Sequence, residues 1–512
     1  MSDTNLTPAP IDWMALLPII GVTATGVIAM IIEMIRPRQT NNAIVWCCLI
    51  GLGVSAYFVL ANWSRPAEET FGGLFMNDRF GQVTQLLLIG VAFITVLFSE
   101  GYLREKRVPF GEYYPLVLWS TVGGMIMVAT RDLLILFLGL EVLSIALYVL
   151  AGLKSGEKRS QEAALKYFLL GAFASGFMLY GIALIYGATG TTHVTGIGEL
   201  YALRETLVDR YPFNVLYAGI GMVTVGFAFK AALVPFHMWT PDVYHGAPTS
   251  VTGFMAAGSK IAAFAALIRF LDGAMDLSSV WLPVLTVLAV LTMFLGNLVA
   301  LVQRDAKRIL AYSSIAHAGY LLVAVIAYSK AQGMFDVEIG YGTVIYYLLA
   351  YGAMTLGSFA VLSLTARGGR EGTLLEDFHG LWRRAPFPAA MMLIFMASLA
   401  GVPLTGGFVG KLLIFKDAIA VDMLWLALVL AVNSVISVFY YLRIVLAIVV
   451  REPDLHPTRF AAVNPGLFAA CGICGFLLIW IAVAVDPFMK WISPPEQHAI
   501  ELRESPPESS VE

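Results

Sequence analysis

The sequence predicts an all-α integral membrane protein of about fourteen transmembrane helices, with two inverted five-helix repeats and discontinuous helices 7 and 12. Three observations predict it. The 512 residues are 59% hydrophobic and only 13% charged, where a soluble domain carries about 25% charged residues. Apolar runs of about 20 residues, the length needed to cross hydrocarbon, recur along the whole chain. Two of those runs are interrupted by Pro and Gly beside a Lys.

The runs place spans at about 13–34, 42–62, 80–100, 112–130, 132–152, 162–187, 213–234, 249–271, 280–302, 308–328, 338–365, 386–418, 424–449 and 461–486. The first twelve residues hold Asp3 and Asp12 but no Lys or Arg, so a cleavable signal is not expected. The longest internal connection, about 188–211, reads as a polar loop, and the stretch after Ile492 as a polar, Pro- and Glu-rich tail. Loops after odd-numbered spans hold Arg36, Arg38, Arg104, Lys106, Arg107, Lys154, Lys158, Arg159, Arg304, Lys307, Arg367, Arg370, Arg383, Arg384, Arg451 and Arg459, with the loop after span 7 the exception that holds none. Loops after even-numbered spans hold mainly Arg65, Arg131, Arg204, Arg210 and Lys330. This asymmetry puts the odd loops in the cytoplasm and both termini in the periplasm.

Span 7 runs through Lys230 into Pro235, followed by Pro241 and Pro248; span 12 contains Gly401, Pro403, Gly406, Gly407 and Gly410. Pro removes a helix hydrogen bond, and in hydrocarbon the freed groups survive only beside protein or a hydrated cavity. The offset between the two breaks is an odd number of spans, which reverses orientation, so the pattern reads as an inverted repeat around an ion site. The organisation is then 1–110 for spans 1–3, 111–275 for the first repeat, 276–450 for the second, and 451–512 for span 14 and the tail.

The chemistry lies in ionisable residues inside spans, each costing about 2.5–3.5 kcal/mol at a helix centre. Glu141 sits near the middle of span 5, Lys260 mid-span 8, and Lys411 beside the span 12 break. Lys230 lies before Pro235, Lys166 a few residues into span 6, and His317 within span 10. Bland readings compete: Lys166 and Lys230 could snorkel to the interface, and His317 could be a satisfied core histidine. Burial disfavours a charged lysine and an approaching carboxylate restores it, so a Lys with a movable partner can load and release a proton. Histidine titrates near neutrality without help. A row of Glu, Lys and His across the midplane therefore reads as a proton relay.

Other signals are weak. Gly51-Leu52-Gly53 lies inside an apolar span with no strand before it, and Gly410-Lys411 is followed by Leu412 rather than Ser or Thr, so nucleotide binding is not expected. Cys471 and Cys474 form a lone C-x-x-C among apolar residues, and His193, His237 and His245 are scattered; neither set reads as a metal site. A net charge of -3 without a basic block gives no footprint for nucleic acid.

Several segments carry a family resemblance: Phe236-His237-Met238-Trp239-Thr240-Pro241-Asp242-Val243-Tyr244, Gly246-Ala247-Pro248-Thr249, Gly258-Ser259-Lys260, Leu310-Ala311-Tyr312-Ser313-Ser314-Ile315-Ala316-His317, and Gly401-Val402-Pro403-Leu404-Thr405-Gly406-Gly407-Phe408. Over about 80–445 the chain resembles the N-subunit family of bacterial NADH–quinone oxidoreductase (complex I), within the antiporter-like superfamily. The resemblance implies a proton-translocating role for Glu141, Lys166, Lys230, Lys260, His317 and Lys411. It also implies that NADH, FMN, iron–sulfur clusters and quinone are bound by other subunits, with no cofactor in this chain. The implied partners are a neighbouring antiporter-like subunit and the small K-type and J-type membrane subunits, in the bacterial inner membrane. A sister subunit has glutamate where Lys411 stands. The alternatives are a subunit of a multi-subunit cation/proton antiporter or membrane-bound hydrogenase, a small-molecule secondary transporter, and a passive scaffold.

Overall fold

The structure is a computed structural model that describes residues 11–35, 42–106, 111–154, 156–203, 213–334, 337, 339–367, 370–450 and 465–492. Arg36, Arg38, Arg107, Arg204, Arg210, Arg451, Arg459 and the tail after Ile492 lie outside these residues. Its helices of eight or more residues are α1 Trp13–Ile35, α2 Asn42–Ala61, α3 Arg79–Lys106, α4 Tyr113–Ala129, α5 Leu133–Ala151, α6 Lys158–Thr189, α7 Val194–Ala202, α8 Phe213–Ala231 and α9 Trp239–Gly246. There follow α10 Thr249–Gly273, α11 Ser278–Val302, α12 Ala306–Ala331, α13 Gly342–Leu362, α14 Pro386–Ala400, α15 Gly406–Ala420, α16 Leu424–Val449, α17 Pro465–Val483 and α18 Val485–Ile492. Among the described residues, 12 helices are long and apolar enough to cross a membrane, and Tyr113–Ala129 and Pro386–Ala400 are shorter apolar helices.

Both expected breaks are present. Residues 232–238 separate α8 from α9, with Ala232 at φ 62° and a cis Val234–Pro235 bond. Residues 401–405 separate α14 from α15, with Gly401 at φ 86° and Leu404 at φ 70°. Helix starts follow local capping chemistry: the Asp132 carboxylate accepts from the Leu134 amide at 2.9 Å and the Ile135 amide at 3.0 Å, and Asp305 accepts from the Arg308 amide at 3.0 Å.

The connection at 188–211 is not wholly a loop, because α7 forms there. Its Val194, Ile197, Gly198 and Tyr201 fall at helical spacing and are buried, so the polar positions between them masked an amphipathic helix. The last spanning helix ends at Val483, earlier than expected, and α18 follows with Phe488 and Ile492 buried.

Contacts between loops sort the molecule into two faces. On one, Glu371 meets Lys154 at 3.1 Å and Lys307 at 3.2 Å, joining connections that follow odd-numbered spans. On the other, Arg65 meets Asp12 at 2.7 Å, Arg131 meets Glu69 at 3.4 Å, and Arg269 pairs with Asp78, joining connections that follow even-numbered spans. A local motif occurs once on each face. At the start of α5, Asp132 bridges to His193 and accepts from the Thr192 hydroxyl. At the start of α12, Asp305 bridges to Leu374 and accepts from the Thr373 hydroxyl. Each aspartate follows an arginine, Arg131 or Arg304, whose carbonyl accepts a backbone bond from the same bridging strand.

At the centre stand α10, α12 and α13, enclosed on nearly all sides, while the α5–α6 flank and α16 turn apolar side chains such as Phe173, Val435 and Phe439 outward.

Candidate proton-relay site

The structure brings four of the six expected residues, Lys230, Lys260, His317 and Lys411, into the buried interior. Lys230 closes the last turn of α8 before the break. Its Nζ donates to Ser144 Oγ at 2.8 Å and Tyr167 OH at 3.3 Å, above a cavity with about 10 Å³ of space for water centres. That is room for about one water molecule. Glu141 is half-buried on α5, one turn before Ser144, and accepts from the Ser175 hydroxyl. The direct Glu141–Lys230 contact that the sequence suggests is not made here; Ser144 occupies the lysine instead.

Lys260 donates to both the carbonyl and the hydroxyl of Ser314, the latter at 2.7 Å. Tyr351 OH donates to the same hydroxyl at 2.8 Å, and Tyr244 OH stands 3.5 Å from it. Lys260 has no carboxylate partner among the described residues, so hydroxyl and carbonyl dipoles solvate its amine. One turn along α12, His317 is fully buried and held at both ring nitrogens. Nε2 lies 3.0 Å from Tyr441 OH, and Nδ1 lies 2.9 Å from Tyr347 OH. Tyr441 also bonds Ser313, the neighbour of Ser314 in sequence, so hydroxyls link the surroundings of Lys260 to His317.

Lys411 donates to the carbonyls of Leu399 at 3.0 Å and Ala400 at 3.1 Å, and lies 5.2 Å from the centre of the Tyr320 ring. Those carbonyls end α14 and lack intrahelical partners. The negative end of that helix dipole compensates a cation there. Gly401 is required for the approach: a Cβ at that position would stand 3.2 Å from Lys411 Cδ and 3.4 Å from Nζ.

Lys166 is outside the buried row. It is partly exposed and paired with Glu162 and Asp242, each at 2.7 Å. Asp242 also receives Arg308 at 3.0 Å. This side of the molecule opens into cavities of about 350 Å³ and 160 Å³, both lined by Arg159, His245 and Gly246. His245 contacts Asp305 at 3.3 Å. Burial works to raise the Asp305 carboxyl, but His245, the Thr373 hydroxyl and the Arg308 amide outweigh it and hold the group below its ordinary value.

Sequence reasoning missed two sets of residues. Lys154 and Lys307 read as loop charges, yet both are buried, paired with Glu371, and Lys307 also donates to the Ala247 carbonyl at 2.6 Å. The hydroxyl partners Ser144, Tyr167, Ser314, Tyr347, Tyr351 and Tyr441 were also missed. Their one sequence signal is the run of tyrosines inside apolar segments, which serves equally well for packing. Cys471 and Cys474 are buried free thiols in α17.

A bundle with two interrupted helices and buried lysines beside each interruption belongs to the antiporter-type class of membrane subunits. The family profile described as "NADH:quinone oxidoreductase/Mrp antiporter, TM" matches residues 130–437. NADH-quinone oxidoreductase subunit N 2 of Roseiflexus castenholzii is 42% identical over 88% of this chain and 91% of that protein. Subunit N of Chloroflexus aggregans is 40% identical over 94% of this chain and 97% of its own length. The chain therefore belongs to the subunit N family of NADH-quinone oxidoreductases. Among solved structures, a chain of respiratory complex I from Thermus thermophilus superposes with TM-score 0.77 at 34% identity, covering 92% of this chain and 98% of that one. A chain of the archaeal membrane-bound sulfane sulfur reductase gives 0.80 at 25% identity, covering 93% and 96%. A chain of the Mrp complex from Dietzia gives 0.79 at 21% identity, covering 94% and 96%, which is a likeness of fold.

Proposed function

We propose that this chain carries protons across the bilayer as a non-redox subunit in the membrane arm of a respiratory NADH-quinone oxidoreductase. The observation that carries the reading is the buried row of Lys230, Lys260, His317 and Lys411, in which serine and tyrosine hydroxyls hold the first three and the Leu399 and Ala400 carbonyls hold Lys411, with none fixed in an ion pair among the described residues. An amine bonded to neutral dipoles can lose its proton without leaving an uncompensated carboxylate behind. Each hydroxyl can accept one proton while donating another. Glu141 flanks the row at the α5–α6 side, and Lys166 with Asp242 stands at the cavity mouth.

Oxidation of NADH, with FMN, iron–sulfur clusters and quinone, belongs in this reading to other subunits. The neighbours are an antiporter-like subunit and the small K-type and J-type membrane subunits, assembled in the bacterial inner membrane. The duplicated Arg-Asp motif on opposite faces supports two inverted repeats, 111–275 and 276–450. The excess of Lys and Arg on the odd loops supports a cytoplasmic location for that face and periplasmic termini. A reporter that works only outside the cytoplasm, fused after Glu512, should be active; activity of a cytoplasm-only reporter there would reverse the orientation.

The central test is Lys260→Ala. The complex should assemble, while proton pumping and coupled quinone reduction in membrane vesicles both fall. Pumping at the parental ratio by matched amounts of complex would sink the relay.

A further inference from the structure

Three helices each turn a pair of residues, spaced one turn apart on a single face, toward a common space. The pairs are Ser144 and Tyr148 of α5, Gly171 and Ser175 of α6, and Gly226 and Lys230 of α8, and the space is the cavity of about 10 Å³ beside Lys230. Ser144, Tyr148, Ser175 and Lys230 are all buried. The glycines set how closely the helices approach. A Cβ at Gly171 would overlap the Tyr148 hydroxyl, and one at Gly226 would stand 2.7 Å from Met178 Cβ. The other members of the three pairs all end in hydrogen-bonding groups. A cavity of that size and polarity holds one water, where an apolar one stays dry.

Ser175 also reaches beyond this cavity. Its hydroxyl donates to the Glu141 carboxylate, which lies on α5 one turn before Ser144. A lysine ammonium has three N–H bonds. Among the described residues, Ser144 and Tyr167 take two of those on Lys230, and the third remains for the cavity. Glu141 and Lys230 are thus separated by one serine hydroxyl and one water-sized cavity. A hydroxyl and a water can each accept one proton while donating another.

We propose that Ser175 is a proton-carrying residue that, with one water held in this cavity, links Glu141 to Lys230 without the two side chains meeting. An N–H bond of the Lys230 ammonium breaks as the water takes its proton. The water gives one of its own protons to Ser175 Oγ, and the Ser175 O–H proton passes to the Glu141 carboxylate. The products are a neutral amine and a neutral acid, with Ser175 and the water restored. The reverse sequence recharges both groups. The donor direction in the structure, from Ser175 to Glu141, is the one the forward transfer needs. The inference rests on the relay reading above and adds to it the route between two of its members.

The test uses vesicles containing the whole complex at matched content, with protons pumped per NADH oxidised as the readout. Ser175→Ala removes the hydroxyl and frees the Glu141 carboxylate. If the pair works by direct contact, that variant pumps at the parental ratio or above it. If Ser175 carries the proton, the ratio falls as far as in Glu141→Gln, and Ser175→Thr, which keeps a hydroxyl, recovers most of it. The Ser175→Ala and Glu141→Gln double variant then loses no more than the worse single one, because both interrupt one step. A parental ratio in Ser175→Ala while Lys260→Ala fails would overturn the serine link and leave the relay standing. Equal loss in Ser175→Ala and Ser175→Thr would also overturn it, because packing and not the hydroxyl would then matter. Parental ratios in both Ser175→Ala and Lys260→Ala would remove the relay itself.

Discussion

Lys230 shows how much a single residue's partner matters. In this arrangement its amine sits between Ser144 and Tyr167, while Glu141 is engaged by Ser175. Closing Glu141 and Lys230 to about 4 Å would be worth roughly 4 kcal/mol at an effective dielectric near 20. The two serine bonds are what that contact must displace. If the pair works as a switch, Glu141→Gln and Lys230→Ala each reduce pumping, and the double variant loses little more than the worse single one. Glu141→Asp keeps the charge and retains more activity than Glu141→Gln. A double-mutant cycle on vesicle pumping checks this, and strictly additive losses would mean that the residues act separately.

At the scale of elements, the interrupted helices are where backbone and site depend on each other. The α14–α15 break exposes the Leu399 and Ala400 carbonyls that hold Lys411, and Gly401 turns the chain there at φ 86°. An L side chain in that backbone region costs about 1–2 kcal/mol. At Gly401 it would also crowd the lysine stem. Gly401→Ala is therefore expected to lower thermal stability by about that amount and to cut pumping beyond what the lost stability explains. Gly53, in α2, has no atom within 4 Å of an added Cβ, so Gly53→Ala serves as the neutral control. A normal pumping ratio in Gly401→Ala would show that Lys411 does not depend on the turn.

For the whole molecule, the faces are tied by ion pairs that cross between distant segments. Arg269, at the end of α10, is buried and pairs with Asp78 before α3, with one bond at 2.5 Å. Burial works to raise the Asp78 carboxyl, but Arg269 and the Gly81 amide outweigh it and hold the group below its ordinary value of 3.8. A depressed carboxyl stabilises the fold above its unfolded value, and that contribution disappears as pH falls through the lower folded value. The parent should accordingly lose stability below about pH 4 as this pair breaks. Asp78→Asn leaves Arg269 buried without its counter-charge, a change that costs about 3–5 kcal/mol. Thermal melting of the purified complex near neutral pH should drop for this variant, and its acid sensitivity over that window should shrink. An unchanged melting temperature would mean that water reaches the arginine.

Hydropathy determined by itself that the chain spans a membrane and where most spans lie. Pro and Gly spacing marked both breaks, because those residues act on the backbone locally whatever surrounds them. The depth of Lys260, Lys411 and Glu141 in apolar runs was legible for the same reason: an ionisable group there is costly in any fold. Which residues meet was not legible. A lipid tail is as apolar as leucine, so sequence cannot separate a side chain facing lipid from one facing another helix. Only packing decided that α10 is enclosed while α6 faces outward, that Lys166 ends in a partly exposed ion pair, and that Lys307 is buried. Packing also converted tyrosines spread through α6, α13 and α16 into hydroxyl partners of the buried lysines and histidine, because their contacts join helices far apart in the chain.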